Sequence, residues 1–152
     1  KQADRDLENA AKNVGIAAFE VAAFLAEQSV EKYLKAAWTE VRREAAPRIH
    51  SLTELGDALG VPADIRRHLV NLNADYTTAR YPDAANGVPY EVYDLVTAEA
   101  KVRAAGGRGP FLAGSLNATG HPSRLRYGPG RHRTMPSKPW RDRFLSAGIL
   151  PG

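Results

Sequence analysis

The chain has 152 residues, no cysteine, and the hydrophobic and charged fractions of an ordinary globular protein. Its length fits one domain, and the absence of cysteine excludes both a disulfide framework and a thiolate metal site. Its most apolar stretch, VGIAAFEVAAFLAE, is interrupted by Glu20 and is too short to cross a bilayer. We therefore expect a cytoplasmic protein without a membrane partner.

The net charge of +4 is divided unevenly along the chain. Residues 1–105 carry 13 Lys and Arg against 16 Asp and Glu, whereas residues 106–152 carry 8 against 1. The second part also holds 9 of the 13 glycines and 6 of the 10 prolines. This composition predicts a folded body over 1–105 and a basic, Gly/Pro-rich, irregular segment over 106–152, with at most a short helix near 139–147.

The body is predicted to be all-helical, because its sequence lacks the alternation of β-branched and polar residues that strands show. A first helix covers about residues 3–13, and the second runs from about 17 to 45, where Pro47 stops it. The second helix has a core face whose members recur every three or four residues. They are Phe19, Ala23, Ala26, Val30, Leu34, Ala37 and Val41.

Two shorter helices follow. Ser51 and Glu54 have the spacing of a capping box, which predicts the start of a third helix that Gly60 ends. Pro62 begins a fourth helix. Its buried face is formed by Ile65, Leu69, Leu72 and Tyr76.

A fifth helix begins at about Glu91 or Thr97 and ends at Ala105, where GGRGP interrupts it. Four or five helices joined by short loops form an up-and-down bundle. The sequence therefore predicts an all-α bundle followed by an irregular C-terminal tail.

A second face of the second helix has polar residues between two aromatic ones: Phe24, Gln28, Glu31, Lys35 and Trp38. Glu31 and Lys35 are spaced i,i+4 and are expected to form an ion pair. Two interpretations remain open. The face is either a solvated flank or a surface covered by a partner subunit or a ligand, and two exposed aromatic side chains on one line favour the second.

The stretch TTARYPDAANG, residues 77–87, ends the fourth helix, although a helix stop needs only its Pro and Gly. Arg80 follows Tyr76 by four residues and so continues the buried face. Arg80 either faces the helix dipole with its stem packed on the core edge, or presents a fixed guanidinium to a phosphate or carboxylate. In the second interpretation Asp83 orients Arg80 as a salt-bridge partner.

His50 lies directly before the third helix and is either a structural residue or part of a site. The four histidines show no metal-ligand spacing, and no Gly-rich phosphate loop precedes a helix. We therefore predict no metal site and no required cofactor.

Three stretches of the body together resemble the HEPN domain, a name that stands for higher eukaryotes and prokaryotes nucleotide-binding. They are AAFLAEQSVEKYLKAAW (22–38), HSLTEL (50–55) and ADYTTARYPDA (74–84), in the order of the family and with similar spacing. The resemblance implies a single-domain prokaryotic bundle that forms a homodimer. It also implies a minimal nucleotidyltransferase as partner, in a toxin–antitoxin-like pair.

Ribonuclease members of the family carry an Arg, four to six residues and then a His, where the Arg stabilises phosphate charge and the His transfers a proton. Here no His follows Arg80 until His121. The two matches elsewhere cross a proline or a Gly/Pro-rich run: Arg43 to His50 and Arg126 to His132. Ribonuclease activity is therefore the alternative to a binding function.

The leading hypothesis is a module that binds a nucleotide, ATP or GTP, or a partner protein. The residues predicted to bind are Gln28, Glu31, Lys35, His50, Arg80, Tyr81 and Asp83. RNA binding through the basic segment is a further alternative, because clustered Lys and Arg bind phosphates without sequence specificity.

Overall fold

The computed structural model describes residues 1–106, which form helices joined by short connections and contain no strand. In chain order they are α1 (Gln2–Gly15), α2 (Phe19–Arg42), α3 (Leu52–Leu59), α4 (Ala63–Asn73), α5 (Asp75–Thr78), α6 (Pro82–Ala85), α7 (Pro89–Val92) and α8 (Leu95–Gly106). Helices α5, α6 and α7 are single turns, whereas the other five have eight or more residues. The prediction of an all-α bundle is confirmed. The predicted irregular segment lies, apart from Gly106, outside the described residues.

Helix α2 is the centre of the bundle, since it packs against α1, α3, α4, α5, α7 and α8. Five members of its predicted core face are buried: Ala23, Ala26, Val30, Leu34 and Ala37. Phe19 is only half-buried. The prediction was wrong for Val41, which is 39% exposed because the last turn of α2 and the residues that follow it are exposed.

Helix α2 is shorter at both ends than predicted. It ends at Arg42, before Pro47 is reached, because Arg43 adopts a left-handed conformation with φ 58° and ψ 28°. The Arg43 N–H donates to the Thr39 carbonyl at 3.1 Å, which closes the last turn. At the other end, Ala17 has φ 59° and separates α2 from α1.

The predicted start and end of α3 are confirmed. The Ser51 hydroxyl accepts a hydrogen bond from the Glu54 N–H at 3.2 Å, and Gly60 ends the helix with φ 69°. The Leu52 N–H donates to Asn73 Oδ1 at 2.8 Å. This bond fixes the start of α3, and with it His50, against the end of α4.

The fourth helix does not continue through Tyr76 as predicted. It ends at Asn73, and α5 begins with Asp75, which is 2% exposed. Asp75 points inward to an ion pair with Lys101 of α8 at 2.9 Å and accepts the Tyr93 hydroxyl at 2.7 Å. The buried side chain of α5 is Asp75, whereas Tyr76, the last member of the predicted buried face, is only half-buried. That face therefore does not extend beyond α4.

The final helix begins between its two predicted starts. Asp94 Oδ1 accepts the Thr97 N–H at 2.7 Å, so Asp94 caps a helix that the structure begins at Leu95. Its buried residues are Ala98, Val102, Ala104 and Ala105, which pack against α1, α2 and α4.

Replacing Gly56 by Ala is expected to destabilise the contact between α3 and α4. A Cβ atom at Gly56 would lie 2.3 Å from Leu69 Cδ1 and 3.1 Å from Val61 Cγ2. Because Leu69 is fully buried, its side chain has little space to move aside. We expect Gly56→Ala to lower the free energy of unfolding by about 1–3 kcal/mol, measured by urea denaturation.

The matched control is Gly15→Ala at the end of α1, where an added Cβ meets no atom within 4 Å. This variant should unfold at nearly the same urea concentration as the unsubstituted chain. Equal losses in the two variants would contradict the close packing of α3 on α4.

Candidate functional site

A polar cluster on α2 has the Glu31 carboxylate at its centre. Glu31 is 6% exposed, and its two oxygens accept Lys35 Nζ at 2.8 Å and His50 Nδ1 at 3.0 Å. Burial alone would raise its pKa, but the hydrogen bonds and charges of Lys35 and His50 outweigh burial and hold the pKa of Glu31 below its ordinary value. The expected pair of Glu31 and Lys35 is confirmed.

The second face of α2 is not a solvated flank. Glu31 is buried, and the other four members, Phe24, Gln28, Lys35 and Trp38, are half-buried. Arg80 lies over the Phe24 ring, and Trp38 Nε1 donates to Glu44 at 3.2 Å. The two aromatic side chains are therefore covered by nearby parts of the same chain.

His50 joins the polar cluster to an aromatic one. While its Nδ1 contacts Glu31, its ring stacks on Tyr76 with a centroid distance of 4.5 Å and an interplanar angle of 14°. The side chain is nevertheless 52% exposed. The imidazole is thus fixed in orientation and still accessible to a ligand.

The Arg80 guanidinium is surrounded by aromatic rings. Its Cζ lies 4.4 Å from the Tyr76 centroid, 4.8 Å from that of Phe24 and 5.2 Å from that of Tyr81. Its Nε donates to the Tyr76 carbonyl at 3.0 Å. Each ring contact contributes about 0.5–1 kcal/mol at an exposed site, so several rings together restrain the side chain.

Two predictions about Arg80 were wrong. Arg80 is exposed rather than in line with the buried face, because α4 ends at Asn73 and Arg80 lies beyond the separate turn α5. Asp83 does not orient it, since within residues 1–106 no carboxylate forms an ion pair with Arg80. Asp83 lies exposed in α6, beyond Pro82, and the rings hold the guanidinium in its place.

The structure brings six of the seven predicted residues into one continuous site. Gln28, Glu31 and Lys35 line α2, His50 adds to them from the loop before α3, and Arg80 and Tyr81 follow through the aromatic contacts. Tyr76 connects the two halves and was not among the predicted site residues. Its position four residues before Arg80 was the available signal, because i,i+4 neighbours share a helix face.

Glu27 is a buried acid that sequence reasoning also missed. It is 0% exposed, Gln28 Nε2 donates to its Oε2 at 2.9 Å, and its Oε1 has no hydrogen-bond partner among the described residues. Burial raises the pKa of Glu27 to about 7, and the charges of Glu31 and Asp75 add to the effect. The signal was its spacing from the core residues Ala23 and Val30, which predicts a buried position for an acid.

Two further observations concern the described residues as a whole. Nowhere in the described part of the chain do three His, Asp or Glu side chains come together as metal ligands would. In the same part, every helix is too short or too polar to cross a membrane.

These features define an all-α domain in which an accessible guanidinium and a fixed imidazole both contact the Tyr76 ring. The sequence model of the HEPN domain matches residues 1–105. The chain therefore belongs to the HEPN domain family, which confirms the resemblance and supports a nucleotide-binding or ribonuclease-type module.

Among solved structures, the chain is similar to the crystal structure of the protein TT1696 from Thermus thermophilus. The two are 28% identical with a TM-score of 0.61, and the similarity covers 68% of this chain and 84% of that one. A search of curated proteins found no match.

Replacing Glu27 by Gln is expected to remove a pH dependence of stability. The proton bound by folded Glu27 stabilises the fold fully below the ordinary pKa of 4.5, and this stability is lost as the pH rises through about 7. The Gln variant should therefore be about 3 kcal/mol more stable than the unsubstituted chain at pH 8 and nearly equal to it at pH 4.5. Urea denaturation across this pH range measures the difference.

The control is Glu8→Gln, which removes a carboxylate from the surface pair of Glu8 with Arg5 on α1. Its stability should follow the pH profile of the unsubstituted chain. Parallel profiles for Glu27→Gln and the unsubstituted chain would contradict the burial of an ionisable Glu27.

Proposed function

We propose that this HEPN chain binds a nucleotide, ATP or GTP, with a phosphate group contacting Arg80 beside His50. A guanidinium suits this role because it stays charged and presents several donors in a planar arrangement that matches phosphate oxygens. Membership of the HEPN family supports a nucleotide as the ligand. The ring contacts that restrain Arg80 support this residue as the one that contacts the phosphate.

The proposal depends on one observation, that the Arg80 guanidinium has no carboxylate partner among residues 1–106. Three of the other arginines in the described region pair with carboxylates: Arg5 with Glu8, Arg66 with Asp57 and Arg103 with Glu99. Arg80 instead contacts rings and donates only its Nε, and neither of its terminal nitrogens has a hydrogen-bond partner among residues 1–106. A restrained cation whose terminal donors are free is prepared to receive an anion.

His50, Gln28 and Lys35 have supporting roles in the proposal. Glu31 fixes His50 through Nδ1, which leaves Nε2 for the ligand. Lys35 and Gln28 contact the same carboxylate and hold it in place. Tyr81 is 52% exposed and offers a ring on which a base can stack.

We further propose that a protein partner covers the surface next to this site. Six apolar side chains between residues 81 and 96 are exposed: Tyr81, Val88, Tyr90, Val92, Leu95 and Val96. Exposed apolar side chains in one stretch are typical of an interaction surface. The proposed partners are a second copy of the chain and a minimal nucleotidyltransferase in a toxin–antitoxin-like pair.

The homodimer is checked by the mass of the purified protein in solution.

Replacing Arg80 by Gln is expected to weaken nucleotide binding at least tenfold, because the substitution removes a hydrogen-bonded charge from the phosphate. The measurement is a calorimetric titration of ATP, and then GTP, into the purified chain at low ionic strength. The heat of binding should decrease with added salt, as expected for a charge-dependent contact.

The matched control is Arg67→Gln, which removes the same charge from an exposed position on α4. Its affinity for ATP should equal that of the unsubstituted chain. If neither ATP nor GTP produces heat with the unsubstituted chain, the nucleotide proposal is refuted. If Arg67→Gln and Arg80→Gln lose affinity equally, Arg80 is not the phosphate ligand.

Ribonuclease activity is the second candidate, and one observation favours it. Although no Arg–His motif is present near Arg80 in the sequence, the fold places both Arg80 and His50 against the Tyr76 ring. A guanidinium and an imidazole in one site are the groups that phosphodiester cleavage requires. Incubation of a labelled RNA with the chain and with His50→Gln checks this candidate, since cleavage that persists in the variant would exclude His50.

A further inference from the structure

Glu27 is buried on α2 next to residues of the proposed anion site. It is one helical turn from Phe24, whose ring touches Arg80, and its carboxylate shares the side chain of Gln28 with Glu31. It is fully buried, and none of the contacts proposed for the nucleotide involves it.

The charged groups around Glu27 come from α2 and α5. On its own helix these are Glu31 and Lys32, and from α5 the facing group is Asp75. Lys32 is held 2.7 Å from Asp6 of α1, and Asp75 is paired with Lys101 of α8.

Glu27 therefore has two acidic neighbours and no cation in direct contact among the described residues. Its Oε1 has no partner in this part of the chain, whereas Glu31 and Asp75 each have a lysine. Of these three carboxylates, Glu27 is the one whose negative charge is least compensated. A buried carboxylate in this situation accepts a proton more readily than its neighbours do.

Gln28 links Glu27 to the surface. Its Nε2 lies 2.9 Å from Glu27 Oε2 and 3.4 Å from Glu31 Oε2. The orientation of this amide is fixed because its Oε1 accepts from Lys32 Nζ, which can only donate. Glu31 Oε2 is also the oxygen that holds His50, so Glu27 and the imidazole are connected through two side chains.

We propose that Glu27 is a positioning residue of the anion site and that binding of a phosphate at Arg80 and His50 is coupled to uptake of one proton by the Glu27 carboxylate. The proton comes from solvent and forms an O–H bond on the carboxylate, whose charge changes from −1 to zero. This inference rests on the proposed function, since it requires an anion at Arg80.

The physical reason is repulsion between like charges in a region of low dielectric constant. A bound phosphate adds negative charge to a site that already contains Glu31, Asp75 and Glu27, and the repulsion is relieved most easily at the carboxylate without a cation. The pKa of Glu27, raised by burial to about 7, means that both protonation states are populated near neutral pH. By linkage, the affinity for the anion must then rise as the pH falls.

The experiment is a calorimetric titration of ATP into the full chain and into Glu27→Gln, each at pH 7 in two buffers of different ionisation enthalpy. The dependence of the heat on the buffer gives the number of protons taken up. Protons taken up by ATP itself are common to both proteins and cancel in the difference. The unsubstituted chain is expected to take up more protons per bound ATP than the Gln variant.

The same titrations at pH 6 and pH 8 measure the effect on affinity. Between these values the affinity of the unsubstituted chain should fall on the order of fivefold more than that of Glu27→Gln, a coupling of ordinary size. Glu8→Gln, which removes a surface carboxylate on α1, should behave as the unsubstituted chain does.

The outcomes separate this inference from the proposed function. If the unsubstituted chain binds ATP but takes up no more protons than Glu27→Gln, the inference is overturned and the nucleotide site stands. If the unsubstituted chain does not bind ATP, both fail. Because Gln imitates the neutral acid, a folded Glu27→Gln that loses ATP at every pH would also overturn the inference.

Discussion

The burial of α2 on two different faces is the constraint from which the other features of the domain follow. One face has the small and aliphatic residues of the core, such as Ala26, Val30 and Leu34, and packs against the other long helices. The other face includes Glu31, whose burial would be costly if the carboxylate lacked partners. Lys35 and His50 provide them, so the buried carboxylate adds a polar contact between α2 and the loop before α3 to the apolar packing of Ile49 on the core.

A second buried acid ties the remaining elements together in a similar way. Asp75 pairs with Lys101 and accepts the Tyr93 hydroxyl, which joins α5 to α8 and to the residue that follows α7. Burial raises the pKa of Asp75, although Lys101 opposes the effect. The turn that begins at Asp75 places Tyr76 against His50, and Arg80 against Tyr76. The geometry of the surface site therefore depends on the buried ion pair of Asp75 with Lys101.

Much of the fold was predictable because it depends on local patterns. The three-four spacing predicted the core face of α2, and the Ser51 cap and Gly60 predicted both ends of α3. The end of α2 at Arg43 was not predictable in this way, since a left-handed Arg has no sequence signature comparable to that of Gly or Pro. The break between α4 and α5 was missed because it depends on Asp75 reaching Lys101, which lies far along the chain.

The sequence by itself determined the class of the domain, the residues near the site and the family, because helical periodicity, caps and short stretches of residues are local properties. Only the tertiary structure decided how those residues are used. It paired Glu31 with His50, placed aromatic rings instead of Asp83 around Arg80, and buried Glu27 beside two other carboxylates. Contacts such as Glu31 with His50 and Phe24 with Arg80 join residues distant in the chain. Their strength depends on burial and distance, which a linear pattern does not contain.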